Sequence, residues 1–152
     1  MWQLFTMLAP KKVNEVRIIE QAPIDEKVPL LGISRLDRDH IEIIRLLSKI
    51  TDHLTKDQYI DFCVHILTYV ESHFIEEEEF MDKIYYPGTR IHKLEHMSLA
   101  NVVKVFLKPY SNGYEQKLEI VKECKQIFKF HVEQHDIPLA KYYNEHKELL
   151  HG

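Results

Sequence analysis

Histidines and carboxylates recur at helical spacing along this chain, on faces that otherwise carry apolar residues. His73 and Glu77 are four residues apart, and so are His92 and His96, so each pair can present two donors to one site from one helix face. A buried imidazole or carboxylate without a partner costs several kcal/mol. A shared metal centre would satisfy such groups together. The candidate ligands, in chain order, are His40, His73, Glu77, His92, His96, His131 and Asp136.

The number and type of these donors indicate two metal ions rather than one. Five imidazoles and two carboxylates are too many for a single tetrahedral zinc ion. Two ions of octahedral type, bridged by the carboxylates and by an oxo or hydroxo group, would use all seven donors and leave one position open. Imidazole and carboxylate together suit iron. His131 and Asp136 are about 140° out of phase on an ideal helix, so Asp136 reaches the core only if Pro138 distorts that helix.

The elements that position these residues are helices, because glycine and proline interrupt the chain at few places. Capping boxes at Ser34/Asp37 and Thr55/Gln58 divide the first uninterrupted stretch in two. The sequence predicts helices near 35–53, 56–85, 89–108 and 114–135, and a short terminal helix at 138–150.

Each predicted helix has an apolar stripe of three- and four-residue spacing, and the connections are short. This pattern predicts an all-α fold, an up-down antiparallel four-helix bundle over residues 33–152 with a short C-terminal helix. Residues 1–32 contain three prolines and no sustained periodicity, and we expect them to form an N-terminal arm against the bundle.

Composition and charge indicate which partners and which cellular location to expect. The 152 residues carry 20 basic and 24 acidic side chains, and a formal net charge of −4 gives no electrostatic reason to expect nucleic acid. No apolar run reaches the roughly 18 residues that indicate a membrane span, and the start of the chain lacks the features of a signal peptide. Cys63 and Cys124 are expected to be packed free thiols. We therefore expect a soluble cytoplasmic protein.

The candidate ligands also resemble those of a known family. The segments LDRDH, HFIEE, HKLEH and HVEQHD look like the complete ligand set of the hemerythrins, in the same order and spacing. Phe74 and the turn at Tyr86–Pro87 are also typical of that family. The resemblance covers about residues 32–143, and single-domain bacterial members are the most similar.

The resemblance implies a non-haem di-iron centre that binds dioxygen reversibly, as a hydroperoxide at one iron, in an oxygen carrier, store or scavenger. Such a protein is not an enzyme, although weak peroxidase or oxidase side activity is compatible with it, and it can deliver oxygen to a protein partner. The resemblance implies that one iron is held by His92, His96 and His131. The other iron would be held by His40 and His73. Glu77 and Asp136 would bind both irons.

An apolar pocket must keep water from the bound oxygen, since protonation and release leave the inert ferric form. The positions that match the family's pocket are Ile43, Phe74, Ile127, Phe128 and Val132. Ile127 and Phe128 depart from the family pattern, which commonly has tryptophan and leucine there, so the pocket is expected to differ in shape.

Two other interpretations use some of the same residues. A hemerythrin-like domain can act as an oxygen or redox sensor through a partner protein, for which residues 1–32 offer a docking segment. The segment HKLEH at 92–96 also matches the H-x-x-E-H pattern of zinc peptidases, with Glu95 as the base, but leaves the other five donors unexplained. The acidic residues around Glu77 are expected to form a solvated helix face: Glu76, Glu78 and Glu79.

Overall fold

The computed structural model describes residues 28–106 and 114–150, and all its regular elements are helices, which confirms the all-α prediction. Most of the predicted arm, and the predicted turn around Pro109–Gly113, lie outside the described residues. The helices are α1 (Ser34–Ser48), α2 (Lys56–Lys83), α3 (Thr89–Phe106), α4 (Lys117–His131), a π-helical turn (Val132–Asp136) and α5 (Ile137–Leu150).

Helices α1 to α4 form the predicted antiparallel four-helix bundle. α1 packs against α2 and α4, and α3 packs against the same two helices. The short connections at 49–55 and 84–88 reverse the chain direction between neighbours. Among the described helices, none combines the length and the apolar character needed to cross a membrane.

The capping box at the start of α2 is confirmed. The Thr55 hydroxyl accepts from the Gln58 backbone N–H, and the Gln58 side chain accepts from the Thr55 backbone N–H at 2.9 Å. α1 ends at Ser48 rather than near residue 53, and Ile50, just beyond this end, is buried in the core. At the same end of the bundle, α4 begins at Lys117 rather than at 114.

The capping box predicted at Ser34 is wrong. Ile33 precedes α1, and no side chain caps the first turn. The Asp37 carboxylate instead accepts from the backbone N–H groups of Leu31 and Gly32, at 2.6 and 3.0 Å. Gly32 has a positive φ of 75°, which folds the preceding chain back over the start of the helix.

The distortion expected near Pro138 takes the form of the π-helical turn, and the helix continues beyond it. The Ile137 N–H donates to the carbonyl of Val132, five residues back instead of four. In a regular α-helix the proline ring would clash with the carbonyl of Gln134. The wider turn also changes the phase of the residues that follow, and this brings Asp136 into the core below His131.

Candidate metal centre

The seven predicted ligands meet in the interior of the bundle, and each is at most 2% exposed. All four bundle helices and the π-helical turn contribute to this cluster. In the order of those elements, the ligands are His40 from α1, His73 and Glu77 from α2, His92 and His96 from α3, His131 from α4 and Asp136 from the turn.

The ligand atoms form two groups that share Glu77. In each group, one donor atom per residue lies within 4.8 Å of all the others. The smaller group is His40, His73 and Glu77, and the larger group is Glu77, His92, His96, His131 and Asp136.

Asp136 also faces both groups, with one carboxylate oxygen towards each. Its Oδ1 is 3.0 Å from His92 Nε2 and 3.1 Å from His131 Nε2, whereas its Oδ2 is 3.3 Å from His40 Nε2. Glu77 Oε2 lies 3.4 Å from His92 Nε2. Both carboxylates are therefore within reach of the two ligand groups.

Unpaired polar atoms show that the cluster fits a metal centre. Both ring nitrogens of His40 and of His73 make no hydrogen bond within the described structure. The same holds for Glu77 Oε1 and for both carboxylate oxygens of Asp136. Orphaned buried polar atoms are rare in native proteins because each costs free energy. Metal ions would satisfy one ring nitrogen of each histidine and the carboxylate oxygens at once.

The electrostatics of the cluster favour ionised carboxylates. Burial and the charge of Asp136 oppose ionisation of Glu77, but hydrogen bonds from His92 and His96 outweigh them and lower its pKa to about 2. Burial is likewise outweighed at Asp136, whose pKa lies well below its usual range because of His131, His40 and His92. The carboxylates are thus charged near neutral pH and need to lose no proton to bind a cation.

Two further carboxylates contact the outer nitrogens of ligand histidines. Glu78 Oε1 is 3.0 Å from His96 Nδ1. Asp39 Oδ2 is 3.6 Å from His73 Nδ1, and the Tyr69 hydroxyl donates to the other oxygen of Asp39. The prediction that Glu78 belongs to a solvated helix face is therefore wrong. Helical periodicity indicates which residues face inward, but it does not indicate which residues contact a metal ligand from outside. In the sequence, only the position of Asp39 next to His40 could have indicated its contact with a ligand histidine.

An apolar cavity of about 30 Å³ lies in the core among the four helices. Four of the five predicted pocket residues line it, namely Ile43, Phe74, Ile127 and Phe128. Val132 is fully buried but does not line this cavity. The remaining lining residues continue along the bundle: Leu47, Ile66, Val70, Leu99, Val103 and Cys124.

Two aromatic rings of the cavity lining contact the ligand histidines, Phe128 in the smaller group and Phe74 in both groups. The Phe128 ring packs edge-on against the ring of His40, with centroids 5.2 Å apart. The Phe74 ring lies 5.8 Å from that of His73 and stacks on His96 at 4.0 Å. Apolar rings therefore pack against histidines of both ligand groups on this side of the cluster.

The peptidase interpretation finds no support in this geometry. His92 and His96 belong to a buried five-residue group, and Glu95, the base that such a peptidase requires, is in neither ligand group.

The fold and the site together define a metal-binding helical bundle, with a buried cluster of histidines and carboxylates between its four helices. The family model described as hemerythrin HHE cation binding domain matches residues 31–140, and the chain therefore belongs to the hemerythrin family.

Several relatives carry the name bacteriohemerythrin. The chain is 32% identical over 127 residues to that of Aquifex aeolicus, covering 76% of this chain and 92% of the relative. It is 32% identical over 83 residues to that of Clostridium acetobutylicum, covering 50% of this chain and 64% of the relative. For that of Campylobacter jejuni, identity is 28% over 129 residues, with 80% and 95% covered. No solved structure gives a significant match.

Proposed function

We propose that this protein binds dioxygen reversibly at a centre of two iron ions and acts as an oxygen carrier, store or scavenger rather than as an enzyme. The observation that carries the proposal is the apolar cavity, whose lining residue Phe128 packs against His40 of the smaller ligand group. That group has two histidines and Glu77, with one oxygen of Asp136 facing it, and so has fewer donors than the larger group. An iron ion held there would have room for an outside ligand, and the apolar cavity would favour a small apolar one.

Each part of the site has a distinct task in this proposal. The larger group would hold one iron, and Glu77 and Asp136 would be shared by both. A ferrous pair held by these residues would supply the two electrons that dioxygen takes up on binding and would recover them on release. Phe74 and Phe128 exclude water from the open side, because water and protons at this position would favour irreversible oxidation.

The donor set also favours reversibility over oxygen activation. Five neutral imidazoles and only two carboxylates stabilise high-valent iron poorly, so further oxidation of the pair is disfavoured. The names of the relatives agree with this proposal. We further propose a cytoplasmic location and a protein recipient for the oxygen.

The test is metal analysis followed by visible spectroscopy. Protein purified without air should contain two irons per chain, and a charge-transfer band should appear when oxygen is admitted and disappear when it is withdrawn. His73→Ala should abolish the band, whereas His65→Ala, an exposed histidine on the same helix, should leave it unchanged. Two irons that oxidise once and stay oxidised would refute reversible binding and favour the sensor interpretation. A single zinc without an oxygen response would refute the di-iron centre.

A further inference from the structure

We propose that Glu78 is a positioning residue of the metal centre. It accepts the Nδ1 proton of His96, fixes the tautomer of that ring and thereby directs the Nε2 lone pair at the metal. The inference rests on the metal centre of the proposed function and does not require that the centre binds oxygen.

The two nitrogens of His96 face two consecutive carboxylates on α2. His96 Nε2 is 3.1 Å from Oε2 of the buried Glu77, and His96 Nδ1 is 3.0 Å from Oε1 of Glu78. A neutral imidazole carries one N–H, and a carboxylate can only accept. With a metal ion bound, Nε2 would give its lone pair to the ion instead of a proton to Glu77, so the proton would lie on Nδ1, where Glu78 accepts it.

Two interactions, a ring stacking and a hydrogen bond, fix the orientation of the His96 ring. The ring is fully buried and lies nearly parallel to that of Phe74, at an interplanar angle of 10°. This stacking fixes the plane of the ring, but it leaves a flip about the Cβ–Cγ bond possible. The hydrogen bond to Glu78 removes that freedom, since a flipped ring would lose it.

This contact distinguishes His96 from the other two histidines of the larger group. Nδ1 of His92 and Nδ1 of His131 have no hydrogen-bond partner within the described structure. Within that group, His96 is thus the ligand whose outer nitrogen is held by a carboxylate. The negative charge of Glu78 also makes the imidazole a stronger donor. Stronger donation should tighten metal binding and stabilise the more oxidised ion, which lowers the reduction potential.

Glu79 provides a matched control, because it is the next residue on α2, has the same chemistry and is exposed. We would prepare Glu78→Ala, Glu78→Gln and Glu79→Ala in the full chain and measure zinc affinity by competition with a chromophoric chelator. Removal of such an outer carboxylate typically weakens metal binding 10- to 100-fold. We expect a loss in this range for Glu78→Ala, a smaller loss for Glu78→Gln, whose amide oxygen still accepts, and none for Glu79→Ala.

Two further measurements separate positioning from a general loss of structure. In the zinc-loaded protein, nitrogen-15 NMR of His96 should show a protonated Nδ1, and this signal should change in Glu78→Ala. In the iron-loaded protein, the reduction potential should rise in Glu78→Gln. Equal zinc affinities for the Glu78 and Glu79 variants, or a metal-bound Nδ1 at His96, would overturn the inference. A graded loss of affinity in a protein that never releases oxygen would refute reversible oxygen binding and leave the role of Glu78 standing.

Discussion

Replacing Phe128 by alanine tests whether the apolar wall protects the metal centre. The Phe128 ring is 8% exposed, lines the cavity and packs edge-on against the ring of His40. Truncation of a buried phenylalanine costs about 3–5 kcal/mol, since apolar contacts are lost and a cavity is left. The new space would join the existing 30 Å³ and bring water within reach of the smaller ligand group.

Phe130→Ala is the matched control for this experiment. Phe130 lies two positions further along α4 and is 59% exposed, so its loss should change the free energy of unfolding by about 0.5 kcal/mol or less. Both variants are to be unfolded with urea in the metal-loaded form, and the decay of the oxygenated spectrum is to be followed in air. We expect Phe128→Ala to be less stable and to oxidise faster than Phe130→Ala.

Equal decay rates in the two variants would refute the protective role of Phe128, whatever their stabilities. Equal stabilities would show that the ring is not packed as described. Phe128→Leu keeps most of the apolar volume, so it should fall between the wild type and Phe128→Ala in both measurements.

Three other outcomes are expected. Glu77→Gln should sharply lower the iron content per chain, because a bridging charge is lost while the shape is kept; an iron content equal to that of the wild type would contradict the bridge. Burial raises the pKa of Cys124 to about 12, so the folded protein should not react with a disulfide reagent at pH 8 and should do so in denaturant. The unfolded thiol ionises near 9, so this residue contributes stability that is intact below pH 9 and is lost as the pH rises towards 12. Thr55→Ala should cost about 1 kcal/mol in urea unfolding through loss of the α2 cap, and Thr55→Ser should restore it.

The sequence determined the bundle and most of the ligand cluster, because both depend on local spacing. A four-residue interval puts two side chains on one helix face in any helical fold, so the pairs His73/Glu77 and His92/His96 needed no tertiary information. The capping box at Thr55 is local in the same way. The capping box predicted at Ser34 is wrong because the hydrogen bonds at the start of α1 depend on the path of the preceding chain at Gly32.

Only the tertiary structure decided how the remaining residues meet. Asp136 is out of phase with His131 on a regular helix, and the π-helical turn that corrects this depends on where Pro138 falls in the packed bundle. The spacing of residues along α2 does not indicate the role of Glu78, because its contact with His96 depends on how α2 and α3 pack. The cavity is defined in the same way, by gaps between side chains of four helices. Spacing along one helix is fixed by backbone geometry, whereas contacts between helices depend on the packing of the whole core.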